Sequence, residues 1–218
     1  MKTINFERGQ DPKKSLNIGL EAQINKYKKE NRNEDEYFVL QAAMGNKDYP
    51  IIKFLLQSGR VDPNDTSNFR CLLLEVINTV CIFYQEIPKI FLENGLDPNK
   101  KIDTNPYNKI PHFITPLEYI IKRLYLRPPK EIIKYLYSTV ELFLQYGADP
   151  NISNGEPLVL AIKLKKPEVI KILLKYGADP NIGRRRAIQR LKKILNSPYL
   201  MSEAPVYDEM KEILKDYL

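Results

Sequence analysis

The chain has 218 residues, with 34 basic and 27 acidic side chains for a formal charge of +7. That length suits one domain or one continuous repeat array rather than several large domains. An apolar fraction of 43% with 14 Tyr and 8 Phe excludes a disordered composition, two cysteines exclude a disulfide framework, and no window approaches the ~20 apolar residues of a membrane helix.

The opening residues, MKTINFERGQDPKK, hold no apolar run and predict no signal peptide. The expectation is a soluble intracellular, cytoplasmic protein, in which the sequons at Asn64 and Asn151 are incidental. Asp11 as an N-cap and Pro12 at the first helical position open a helix. Leu16, Leu20, Ile24 and Tyr27 then share one face, with Glu21, Lys28 and Lys29 on another. This is the pattern of a capping helix within a segment 1–36. Residues 1–10 read as a tail, and no physical account is found for FERG at 6–9.

Beyond residue 36 the chain repeats itself. FLLQSGRVDPN, IFLENGLDPN, LFLQYGADPN and ILLKYGADPN place aspartates at 62, 97, 149 and 179, with spacings of 35, 52 and 30. In each copy an apolar run of helical spacing ends at a Gly that can take the left-handed helix-capping conformation. Asp-Pro then starts a turn, and the Asp side chain can accept from the backbone N–H groups just ahead. A second apolar segment lies upstream: Leu40 and Ala43 precede Gly59 by 19 and 16 residues, as Leu158 and Ala161 precede Gly177.

The unit is therefore turn, helix, tight turn, helix, Gly-x-Asp-Pro-Asn. With PLVLA at 157–161, EVIKILLKYGADPN at 168–181 and TPLEYI at 115–120, it resembles the ankyrin repeat family, whose period is ~33 residues. The likeness divides the chain into repeats at 37–64, 65–99, 100–151 and 152–181, with a capping segment at each end. It implies an all-α solenoid of stacked helix pairs whose core is continuous along the stack. It also implies protein binding through a concave face built from hairpin tips and first helices.

The third repeat is long by 22 residues relative to the fourth. Eleven fall in the hairpin, KKIDTNPYNKIPHF, and eleven between the two helices, at LYLRPPKEIIKYLYS. Pro128-Pro129 ends the first helix there and starts a long second one over about 130–146. Ile132, Ile133, Leu136, Val140, Phe143 and Leu144 keep the helical period in it. Insertions in repeat arrays map to loops on one face, often the binding face, although loops also accept length at small entropic cost. Lys100, Lys101, Tyr107 and Lys109 make this hairpin a candidate contact surface. His112 reads as a structural hydrogen-bonding residue, and Cys71 and Cys81 as reduced core thiols.

No catalytic constellation appears. G-x-S-x-G, P-loop, G-x-G-x-x-G and H-E-x-x-H motifs are all missing, and the sole histidine has no nucleophile pattern around it. DPNDTSN (62–68) faintly resembles a calcium loop but lacks its Gly and distal Glu. The expectation is a non-enzymatic chain without cofactor or metal.

The charge is concentrated near the end. Between Pro180 and Ser202 stand Arg184, Arg185, Arg186, Arg190, Lys192 and Lys193, with no acid. Ala187, Ile188, Leu191, Ile194 and Leu195 form an apolar stripe on the same segment. Asn181 to Ile188 is the interval of Asn151 to Leu158, so this is the first helix of a degenerate fifth unit within 182–218. Residues 207–218 would form its second helix, with Met210, Ile213, Leu214 and Tyr217 inward and no F-box-like tail beyond. Three roles fit the basic block: the polar outer face a terminal unit needs, a dock for an acidic partner protein, or a nucleic-acid or anionic-surface site over 184–193. The arginine run also fits a nuclear-localisation signal.

The candidate partner contacts are Asn68, Lys100, Lys101, Tyr107, Lys109, Asn154, Arg184, Arg185, Arg186, Arg190 and Lys193, on a chain expected to be monomeric. Richness in Lys, Ile, Asn and Tyr fits an AT-rich genome. Ankyrin arrays serve large DNA viruses and intracellular bacteria against their hosts, so the resemblance extends to an effector role.

Overall fold

In a computed structural model the described residues are 12–31, 35–65, 74–77, 85–103, 113–126, 128–196 and 204–218. Cys71, Cys81, Asn68, Tyr107, Lys109 and His112 lie outside them, as do the side chains of Leu16 and Arg184. The chain divides into two compact units, Met1–Asp65 and Thr66–Leu218.

The first unit holds α1 (Pro12–Asn31), α2 (Glu36–Asn46) and α3 (Tyr49–Gln57). Asp35 caps α2 by accepting from the Tyr37 backbone N–H at 2.9 Å. Lys47 ends it in the left-handed conformation at φ 59°, and Pro50 starts α3 where no intrahelical N–H is needed. Val39, Leu40, Ala43, Ile51, Ile52 and Leu55 are fully buried between the two helices. Helix α1 adds Leu20 and Ile24 to that core, while Glu21 on another face forms a forked ion pair with Arg60. Arg60 and Lys28 also approach Glu36, at 3.6 and 3.5 Å. Helix α1, expected from the apolar spacing, is thus held by two core residues and a charge cluster.

The second unit contains α4 (Glu86–Glu93), a short hairpin of β1 (Ile102–Asp103) and β2 (Phe113–Ile114), then α5 (Pro116–Arg123), α6 (Lys130–Gln145), α7 (Ile152–Lys163), α8 (Pro167–Lys175), α9 (Ile182–Leu195) and α10 (Ala204–Ile213). Helices α5, α7 and α9 pack side by side as first helices, and α6, α8 and α10 as second helices. The core is the row between them: Leu117, Ile120 and Ile121 against Val140 and Phe143, then Leu158, Ala161 and Ile162 against Val169, Ile170 and Leu173.

Thr115 and Glu118 form a reciprocal capping box at the start of α5. Helix α6 starts directly after Pro128-Pro129, as the proline pair predicts, although Ile132 and Ile133 in its first turn are half-buried rather than core. Two points differ from the sequence reading. The long hairpin segment is not plain loop: Ile102 pairs with Ile114 in antiparallel register, and both are buried. The last helix begins at Ala204 and ends at Ile213, followed by a 3-10 turn over Lys215–Tyr217. Met210 and Leu214 are therefore buried, while Ile213 and Tyr217 are half-buried and Tyr207 joins the core.

Candidate protein-interaction surface

Four turns share one geometry. Gly59, Gly95, Gly147 and Gly177 have φ of 70°, 92°, 89° and 88°. In each turn the aspartate Oδ1 accepts from the backbone N–H two residues on, at 2.8 Å: Asn64 to Asp62, Asn99 to Asp97, Asn151 to Asp149, Asn181 to Asp179. The aspartate of each Asp-Pro-Asn thereby has a local backbone partner.

The asparagines do more than end the turn. The Asn99 side chain donates to the Gly147 carbonyl at 2.9 Å and accepts from the Asp149 N–H at 2.8 Å. Asn151 does the same to Gly177 and Asp179, again at 2.9 and 2.8 Å. Each turn in this part of the chain is clamped to the next by one amide side chain. At Asn181 the series stops, and the amide donates to its own Asp179 at 3.2 Å.

After the turns at 147–151 and 177–181 the backbone makes a left-handed excursion before the regular helix begins. Ser153, Asn154 and Gly155 have φ of 54°, 58° and 77° inside α7. Gly183 and Arg185 have φ of 62° and 61° at the corresponding place in α9. The two excursions touch: a Cβ on Gly183 would lie 2.6 Å from the Asn154 carbonyl oxygen. Glycine is required there for both space and φ. Asn154 tolerates the conformation, whereas an arginine in it costs about 1 kcal/mol or more.

The basic block is largely turned toward its own chain. Arg186 pairs with Glu156 of α7 at 2.6 Å. Arg185 donates to the Tyr217 carbonyl, and Lys192 to the Leu218 backbone oxygen at 2.9 Å. The last helix pair is fastened by these contacts. Arg190 is half-buried, and its Nε is enclosed with no hydrogen-bond partner among the described residues. Lys101, Asn154 and Lys193 have no side-chain partner among the described residues, and all three are exposed. Lys100 is half-buried and engaged. Phe113, which the sequence reading did not single out, stands 61% exposed on β2. Its neighbours' alternation, buried Ile114 after exposed Phe113, was the available signal.

A second charge system runs across α6, α8 and α10. Glu141 accepts from Lys175 at 2.6 Å, which holds its carboxyl below the ordinary range despite some burial. Lys171 bridges Glu168 at 2.9 Å and Glu209 at 2.7 Å, and these bonds raise its ammonium. Burial raises the Tyr137 hydroxyl, with Glu168 and Glu209 adding to it.

Stacked helix pairs, left-handed Gly-x-Asp-Pro turns and amide clamps between successive turns define a helical repeat protein. The family model of the ankyrin repeat matches residues 157–184, which cover α7 from Pro157 onward, α8 and the start of α9. These residues carry an ankyrin repeat, and such repeats are typically non-enzymatic protein-interaction modules. A comparison with curated proteins finds no match to the chain. Among the described residues no helix is long and apolar enough to cross a membrane.

Proposed function

We propose that the chain is a scaffold of four ankyrin repeats, at 37–64, 65–99, 100–151 and 152–181, between capping segments 1–36 and 182–218. It binds a partner protein through turn tips and first-helix faces and performs no catalysis. The observation that carries this reading is the set of exposed side chains without a partner among the described residues, Lys101, Asn154 and Lys193, together with the 61% exposed Phe113 ring. They lie in the β-hairpin, the α7 excursion and α9, the turn and first-helix elements of their repeats. Cations without a carboxylate of their own favour an acidic partner surface. Action in the cytoplasm as a monomer, and as an effector against a host, completes the proposal.

Arg185, Arg186 and Lys192 are weaker candidates than their density in the sequence suggests, because each already has an acceptor in the chain. The Glu156 carboxylate on Arg186 weighs against a phosphate-tracking role for 184–193, since such a track needs cations without an anion of their own. Proximity labelling with the unaltered chain and with Lys101→Glu/Lys193→Glu tests the reading. A protein partner lost in the variant is the expected result; an unchanged set of labelled proteins contradicts it. Salt-sensitive binding of duplex DNA or RNA at about 50 mM salt would favour the nucleic-acid reading instead.

A further inference from the structure

At the other end of the helix pairs, away from the Gly-x-Asp-Pro turns, lies a cleft of about 550 Å³. Its floor and walls are Leu124 and Tyr125 after α5, Leu164 in the α7–α8 turn and Val206 in the first turn of α10. Lys163, Lys165 and Lys166 complete it, with no acidic side chain among these lining residues. Lys165, itself left-handed at φ 56°, stands 5.3 Å from the centre of the Tyr207 ring. Lys163 and Lys166 have no carboxylate partner among the described residues.

The cleft exists because the chain is longer here than in the following unit. Between α7 and α8 three residues suffice, but after α5 a 3-10 turn over Leu124–Leu126 projects Tyr125 and Leu126, 73% and 69% exposed. Large apolar side chains left that open beside a cluster of cations mark a contact surface rather than a solvated edge. The first-turn N–H groups of α8, which has no side-chain cap, add to the positive field at the same place.

We propose that this cleft docks an acidic segment of a partner protein, with a Leu or Phe side chain against Tyr125, Leu164 and Val206 and flanking carboxylates on Lys163 and Lys166. Charge decides between the occupants. A second copy of this chain would bring one positively charged surface against another, and the aliphatic floor offers a nucleobase little to stack on apart from Tyr125. The volume fits one or two apolar side chains with their backbone. The docking surface is separate from the hairpin side, so the two can be tested independently.

The experiment is a selection of phage-displayed random peptides on the full chain, followed by affinity measurement of the enriched peptides. The expected peptides combine Asp or Glu with Leu or Phe, bind more weakly as salt rises, and lose about tenfold or more of their affinity to Lys163→Glu/Lys166→Glu. Tyr125→Ser weakens them by a comparable factor. Lys101→Glu/Lys193→Glu leaves them unchanged. All variants alter exposed or half-buried side chains, and circular dichroism should show unaltered helix content. The proposal is overturned if no peptide is enriched, if enriched peptides lack acidic bias, or if their affinity survives both cleft variants. Displacement of the peptides by single-stranded RNA, or a dimer in sedimentation that the lysine changes dissolve, would also overturn it.

Discussion

One amide group shows how far single residues can act in this chain. Asn151 closes its own turn through its backbone N–H and clamps the following turn through its side chain, satisfying the Gly177 carbonyl and the Asp179 N–H. Replacing it with Ala removes both exposed bonds, which water only partly replaces, and should cost about 1 kcal/mol. Asn181→Ala, where the amide reaches back to Asp179 alone, should cost clearly less. Urea unfolding midpoints of the two variants compare them directly. The turn itself was legible in the sequence, because Gly-x-Asp-Pro-Asn recurs and each residue has a local reason. The clamp was not, because its partners lie in the next unit and a backbone carbonyl leaves no mark on sequence. Tyr37 offers a test in the other unit. Burial, then its 2.8 Å hydrogen bond to Asp65, push its hydroxyl up to about 12 from 10.0. A raised folded value means stability that is complete below pH 10 and declines as pH rises through 12. Tyr37→Phe should remove that part of the alkaline decline, and tyrosinate absorbance should show one late-titrating group fewer in the variant than in the unaltered protein.

Elements in this protein meet through close backbone approach as much as through side-chain packing. The left-handed excursions at 153–155 and 183–185 bring α7 and α9 together with no room for a Cβ on Gly183. Gly177→Ala meets open space and should cost only the strain of its φ, about 1–2 kcal/mol. Gly183→Ala carries that strain plus the contact at 2.6 Å and should exceed it by about 1–3 kcal/mol in thermal or urea unfolding. The arginine run illustrates the limit of a sequence reading at this scale. Its position at the start of the last first-helix was legible from the Asn-to-apolar interval. Its destination was not, because Tyr217 and Leu218 accept through backbone oxygens. Between second helices, Glu141 and Lys175 carry a pH dependence of the opposite sense to Tyr37. The bond from Lys175 lowers the Glu141 carboxyl, so the stability it brings is present above 4.5, its ordinary value, and lost as pH falls through the lower folded value. Glu141→Gln should flatten the acid limb of a stability-against-pH curve.

For the molecule as a whole, composition and period carried the fold class, since a repeat array writes the same local rules several times and each copy checks the others. The interaction surface was legible only in part. Exposed charge could be counted, but which cations are already neutralised depends on contacts across units. Arg186 on Glu156 left that count and Arg185 keeps its charge while donating to the Tyr217 carbonyl, whereas Phe113, Tyr125 and Leu126 entered the surface through their exposure. The central claim is that the turn-and-first-helix side carries a protein partner. A photo-crosslinking residue placed at Asn154, in the α7 excursion, tests it most directly against the same residue at Lys134, exposed on the second helix α6. The account predicts a discrete protein adduct from position 154 in the native cell and none of that mass from 134. Equal adducts from both positions, or none from 154, would contradict it.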